Sequence, residues 1–333
     1  MITTATFSEL KSFRIGHAQN AEAGTGCTAI IAPEGASCGV DVRGGGPATR
    51  ETDLLRPENM IEKVHAVVLS GGSAFGLEAS CGVMEELASR SIGFELGGAF
   101  VPIVTGACLF DLLVGKPIHP DKAMGKAAAR AAFENELNEP AQGNLGAGCG
   151  ATVGKFAAPT SAMKSGLGWS CLKMGELVVG AIVAVNAIGC VRNEQGEWIA
   201  GVRNADNTVS EPLTAMAQVA MMMQQTQEAA LAGADASQPC TNTTIGVVLT
   251  NAKLTKAQAA KVSSGTHDAY ARAIKPVHTS NDGDAIFTFA SGEVEAMPDM
   301  VTLLANEAMQ KAIVSAVEEA TGAYGLPAAR DLR

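Results

Sequence analysis

Strand-like and helix-like segments alternate along the whole chain, which predicts an α/β fold built in α+β layers. Two further observations support that class. The 333 residues are 47% hydrophobic and 17% charged, enough length and apolar content for a full core. The 37 glycines are dispersed rather than run together, so they read as tight turns and close backbone packing, not disorder.

The elements follow in order. Ile15 to Val42 reads as short strands broken by glycine turns, clearest at 28–32. Val64 to Leu69 is a continuous apolar run, hence a buried strand. It enters Gly71-Gly72-Ser73-Ala74-Phe75-Gly76 and then a helix to about Arg90, with Phe75, Leu77, Val83, Met84 and Leu87 as apolar positions. Lys122 to Asn135 predicts a second helix. A glycine-rich loop, Gly143 to Gly154, precedes Lys155, and Leu177 to Val185 is an apolar strand ending at Asn186. Leu213 to Ala230 is helical in character. Residues 232–242 lose all periodicity and read as an exposed linker, where chains tolerate nicking. Beyond it the pattern is compact. Thr244–Thr250 is a strand, and Thr255 and Gln258 have capping-box spacing for a helix to about Ile274. Ala285–Ala290 is another strand. Met300 to Ala320 is a long helix with Leu303, Leu304, Ala308, Ile313 and Val317 on its apolar side. Residues 243–333 thus form a β-α-β-α unit.

Bulk properties exclude several classes. A net charge of −10 without any Lys/Arg cluster argues against a nucleic-acid partner. Met1 to Asn20 mixes Glu9, Lys11 and Arg14 with no apolar run, so no signal peptide is expected. The longest apolar stretch, Leu177 to Val191, is interrupted by Asn186 and too short to span a membrane. Eight cysteines stand singly, without metal-site spacing, which points to reduced thiols and a cytoplasmic location.

Three constellations bear on chemistry. Gly71–Gly76 sits at a strand-to-helix junction, where backbone amides can hold an anion or simply make a tight packing turn. Gly148 to Phe156 evokes a phosphate loop through Gly154-Lys155. Cys149 and Phe156, however, stand where that loop needs a glycine and a Mg²⁺-binding hydroxyl, so no nucleotide cofactor is expected. Asp282-Gly283-Asp284, preceded by His278, is either a solvated turn or an acid pair that handles protons. No calcium-loop spacing follows it, so no metal is expected.

Asn242-Thr243-Thr244, immediately before the strand, carries the sharpest possibility. Inside a chain a threonine hydroxyl is a weak nucleophile, and the tripeptide also fits a polar turn leading into a buried strand. As a glycosylation acceptor it would require secretion. Cut before Thr243, the residue gains an α-amine of pKa roughly 7.7–8.0, a general base beside its own nucleophile.

Together these residues resemble the L-aminopeptidase/D-esterase family of self-processing hydrolases, which includes DmpA, the β-aminopeptidases and the nylon-oligomer hydrolase. The resemblance runs from Gly39-Val40-Asp41-Val42-Arg43-Gly44-Gly45 through Leu69–Leu77 and Val183–Gly189 to the C-terminal unit. Its specific parts are Asn242-Thr243-Thr244-Ile245 and His278-Thr279 with Asp282-Gly283-Asp284. It implies a single four-layer αββα sandwich, cut into an α chain (1–242) and a β chain (243–333), and a homo-oligomer of αβ units. Thr243 would be the nucleophile. Asp282 and Asp284 would orient its hydroxyl and amine, and Asn186 and Lys155 fall at active-site positions, with Asn186 aiding the oxyanion. Phe110 departs from the family by occupying the place of a tyrosine. The implied activity is amide hydrolysis at the N-terminal side of small peptides or amino-acid amides. The alternatives are endo-hydrolysis of ω-amino-acid oligomers and a catalytically silent, unprocessed binding protein.

The expected outcome is self-cleavage between Asn242 and Thr243. Denaturing gels and N-terminal sequencing of purified protein should give fragments 1–242 and 243–333. A single band that persists at neutral pH would refute it.

Overall fold

The computed structural model describes residues 1–135, 138–157, 161–229 and 242–332, with the backbone alone at 222–229. Its main strands are β1 Ile2–Thr4, β2 Arg14–Asn20, β3 Thr25–Val42, β4 Ala48–Arg50, β5 Val64–Ser70, β6 Val104–Cys108, β7 Leu167–Met174, β8 Leu177–Asn186, β9 Thr243–Ala252 and β10 Ala285–Val294. The helices are α1 Glu78–Ser89, α2 Lys122–Glu134, α3 Pro212–Ala229, α4 Lys256–Ala273 and α5 Pro298–Glu318. The strand order is β1-β7-β8-β9-β10-β3-β5-β6-β4, with β2 also paired to β3.

β3 belongs to two sheets. Residues 25–31 lie between β2 and β5, whereas 37–42 pair antiparallel with β10. A register shift between Ile31 and Ala36 lets the strand change partners. The sequence predicted several short strands over Ile15 to Val42, and the structure corrects this to two, β2 of seven residues and β3 of 18. Glycine inside it does not mark a turn. At Gly39 a Cβ would lie 2.1 Å from the Ala260 nitrogen, so the residue lets α4 press onto the strand.

Side-chain alternation then builds four layers. Ile30, Val67 and Leu69 of one sheet meet Ile182, Val247 and Phe287 of the other in a central core. On the outer face of the second sheet, Val183, Val248 and Ile286 pack under α4 and α5 through Val262, Leu304 and Ile313. On the outer face of the first, Ala29, Ile31 and Val68 pack under α1 and α2. The order is αββα, as the family resemblance implied.

Local chemistry explains most boundaries. Thr255 caps α4 through Oγ1 accepting from Gln258 N, while Gln258 Oε1 accepts from Thr255 N at 2.9 Å. Two apolar assignments fail: Phe75, in a short 3₁₀ turn, is 66% exposed, and Leu303 of α5 is 52% exposed. The linker expected at 232–242 lies outside the described residues as far as 241, as does Cys240. The other seven cysteines are free. Among the described residues no helix is long and apolar enough to cross a membrane.

His17 on β2 gives the fold a pH dependence. Its Nδ1 lies 3.0 Å from Thr28 Oγ1, and burial pulls it down to about 4. The folded state therefore keeps His17 neutral where the unfolded chain protonates it. This contribution is complete above pH about 6.5, declines as pH falls and is gone below about 4. Urea melts of His17→Gln should fall less steeply across that window, by up to roughly 3 kcal/mol. Equal slopes in the two proteins would exclude a neutral buried His17.

Candidate active site

β9 is the strand that places the chemistry. Its β-branched and apolar residues suit a position buried on both faces, and all ten are buried. It runs antiparallel to β8, with Asn186 opposite Thr243, and parallel to β10, with Ile245 opposite Ala285. Ile245, Val247 and Leu249 point into the core between the sheets. Thr243 shares their parity, Asn186 shares that of Ile182 and Ala184, and position 283 shares that of Ala285 and Phe287. Three neighbouring strand ends thus present Asn186, Thr243 and Gly283 on the face between the sheets.

Gly283 was noted in the sequence only as the spacer between two acids. In the structure it touches the candidate nucleophile, since a Cβ on it would lie 2.7 Å from Thr243 Oγ1 and 3.0 Å from Gly46 O. Its N–H also donates to the Asn242 carbonyl oxygen at 3.2 Å. The Thr243 hydroxyl donates to that same oxygen. The carbonyl preceding Thr243 is therefore held against the hydroxyl while a backbone donor polarises it, an arrangement of the oxyanion-hole kind.

Asn186 is fixed at both ends of its amide. Its Oδ1 accepts from Thr152 N at 3.0 Å, Thr152 Oγ1 at 3.3 Å and Lys155 Nζ at 2.7 Å. Its Nδ2 donates to Phe110 O at 2.9 Å, so Phe110 contributes a backbone acceptor where its ring could donate nothing. Lys155 Nζ also reaches Asn186 O at 3.0 Å. Burial pulls Lys155 down to about 7, against the opposing influence of Asp282, Asp111 and Asp284. Its charge is poised to change near neutral pH.

The two acids do different things. Asp284 is fully engaged: Oδ1 accepts from Thr244 N at 2.7 Å, and Oδ2 accepts from His278 N at 3.0 Å and meets His278 Nδ1 at 2.8 Å. It thereby grips the backbone just after Thr243. Asp282 Oδ2 accepts from Thr279 N at 2.8 Å and Thr279 Oγ1 at 2.7 Å. Burial, then the neighbouring Asp284, pushes the Asp282 carboxyl above its usual range. Asp284 follows the strand parity of Ile286, which faces the helices. His278, committed to Asp284, packs edge-on to His267 and over Tyr270 of α4. The sheet thus separates the His278 imidazole from the Thr243 hydroxyl.

The Gly71–Gly76 turn is not brought into this chemistry. Gly72 N donates to Asp111 Oδ1 at 2.7 Å, so that amide serves packing within the fold. The sequence reading also gave no role to Thr152 or Asp111. Burial raises Asp111 to about 6.

A strand-end threonine beside a polarised carbonyl is thus a candidate nucleophile held within paired sheets covered by helices, an αββα fold. The fold matches solved structures of that kind. One is a Burkholderia sp. β-aminopeptidase, with TM-score 0.66, 18% identity and coverage of 100% of this chain and 94% of that one. Another is the L-aminopeptidase D-Ala-esterase/amidase of Ochrobactrum anthropi, described as a variant of the Ntn hydrolase fold, with TM-score 0.65, 17% identity and coverage of 97% and 90%. The model of Peptidase family S58 matches residues 8–330, and the chain belongs to that family. Relatives include an uncharacterised aminopeptidase of Mycobacterium leprae, 34% identical, covering 97% of this chain and 92% of the relative. A 6-aminohexanoate-oligomer endohydrolase of Agromyces sp. is 30% identical over 84% of this chain and 73% of its own.

Gly283→Ala tests the contact at the nucleophile. The added methyl should slow the appearance of fragments 1–242 and 243–333 by roughly tenfold or more, since small displacements of reacting atoms are costly. A time course equal to that of the wild type would show that Gly283 does not crowd the reacting hydroxyl.

Proposed function

We propose that the protein is a self-processing amide hydrolase with Thr243 as its N-terminal nucleophile. The observation that carries this reading is the Thr243 hydroxyl bonded to the Asn242 carbonyl, which also receives the Gly283 N–H. In maturation, Thr243 Oγ1 attacks the Asn242 carbonyl carbon and the peptide C–N bond breaks. Water then hydrolyses the resulting ester, leaving a carboxylate on Asn242 and a free amine on Thr243. In turnover that amine takes the hydroxyl proton as Oγ1 attacks a substrate amide. The protonated leaving amine departs, and water releases the acyl group.

The surrounding residues divide the remaining work. Gly283 N–H and the Asn186–Lys155 pair offer donors for developing negative charge. Asp284 holds the strand end through Thr244 N, and Asp282 balances the charge of Lys155 and of the new amine. The substrates that fit this reading are small peptides and amino-acid amides, in keeping with the aminopeptidase names among the relatives. A second reading, endo-hydrolysis of ω-amino-acid oligomers, is favoured by the 6-aminohexanoate-oligomer endohydrolases among them. Release of terminal units against internal cuts in the product pattern separates the two. Free cysteines support a cytoplasmic location, and the family resemblance supports a homo-oligomer of αβ units.

Thr243→Ala should remain full length and inactive on aminoacyl p-nitroanilides, because alanine has no attacking heteroatom. Thr243→Ser and Thr243→Cys should process in part. Wild-type turnover by the alanine variant would remove Thr243 from the mechanism.

A further inference from the structure

Lys164 is wholly buried, which a lysine tolerates only when its ammonium is matched. Its Nζ donates to Gly148 O at 3.2 Å, Ala151 O at 3.0 Å and Ser165 O. Three carbonyls around one nitrogen fit the three donors of an ammonium. A neutral amine has only two N–H bonds and would turn its lone pair toward the third oxygen. The cation therefore closes the Gly148–Ala151 turn around itself. Backbone bonds lock the arrangement: Ser165 N donates to Ala151 O at 3.0 Å, and Lys164 N donates to Pro327 O at 2.9 Å. Burial pulls the Lys164 ammonium down to about 7, and Cys149 and Asp111 oppose that pull.

The other end of this turn is the active site. Ala151, held by Lys164, is followed directly by Thr152, whose N–H and hydroxyl fix Asn186 Oδ1. Lys155, three residues on, bonds the same oxygen. We propose that Lys164 is a positioning residue for amide hydrolysis, its ammonium shaping the 148–151 turn so that Thr152 and Lys155 hold Asn186 opposite Thr243. This rests on the reading in which Asn186 and Lys155 serve Thr243. Lys164 itself touches no reacting atom, since all three of its side-chain bonds go to backbone carbonyls of the turn and of Ser165.

The test uses the full chain in two variants, read by circular dichroism, by processing on gels and by kcat and KM on an aminoacyl p-nitroanilide. Lys164→Met keeps the stem and removes the cation. It should fold and should lose roughly tenfold or more in kcat with KM nearly unchanged, and process correspondingly slowly. Lys164→Ala opens a space for a small cation, so propylammonium should restore processing and turnover in a saturable way while propanol at equal concentration does not. Kcat within twofold of wild type for the methionine variant would overturn the proposal. So would equal rescue by propanol, which would assign Lys164 a packing role. Loss of fold in both variants without recovery in propylammonium would make Lys164 structural and also overturn it. Wild-type turnover by Thr243→Ala, in contrast, would sink the underlying reading however the Lys164 variants behave.

Discussion

The register of β9 between β8 and β10 is the constraint on which the site depends. Antiparallel pairing sets Asn186 beside Thr243, and parallel pairing sets the Asp282–Asp284 segment along its other edge. Because side chains alternate, a slip of one residue would send Thr243 toward α4 and bring Thr244 to the face between the sheets. Ile245, Val247 and Leu249 oppose such a slip, since it would also move them out of the central core. The hydrophobic pattern that stabilises the strand is thus the same pattern that aims its first residue.

A second theme is the management of buried charge. Lys155, Lys164, Asp111, Asp282 and Asp284 all lie within or beneath the site, and isolated burial of any of them would be costly. The chain answers with backbone groups as much as with counter-ions. Lys164 is met by three carbonyls, Asp284 by two main-chain N–H groups and His278, and Asp282 by Thr279. Backbone partners fix position as well as charge, so the network holds loops from distant parts of the chain in one geometry. Residues near 46, 110, 152, 186, 243 and 283 meet there through such bonds.

Absence of side chains matters as much. Gly283 leaves room for the Thr243 hydroxyl, and Gly39 lets α4 approach β3, which in turn flanks β10. With α4 pressed close, Tyr270 and His267 close over His278, the partner of Asp284. A hydroxyl between the sheets and a His–Asp pair under the helices can then influence one strand end from opposite faces.

Much of this was legible in the sequence, and the legible part was local. Apolar runs located β5, β8, β9 and β10, the Thr255/Gln258 spacing located the start of α4, and Asn242-Thr243-Thr244 stood visibly at a strand entrance. Those features depend on residues a few positions apart, where periodicity and capping act directly. The 18-residue length of β3 was hidden, because Gly26 and Gly39 within it answer to close packing against Gly146 and α4 rather than to a turn. The exposure of Phe75 and Leu303 was hidden too, since an apolar pattern does not say which positions find a partner. The bond from Gly283 N–H to the Asn242 carbonyl and the carbonyl cage of Lys164 join segments that no sequence spacing connects, and even the nearby His278 and Asp284 showed no sign in the sequence of which atoms would pair. The sequence by itself determined that a threonine stands at the entrance of an apolar strand and where the other strands lie along the chain. Only the tertiary structure decided which face that chemistry occupies and which groups meet it, because those depend on sheet register and long-range packing.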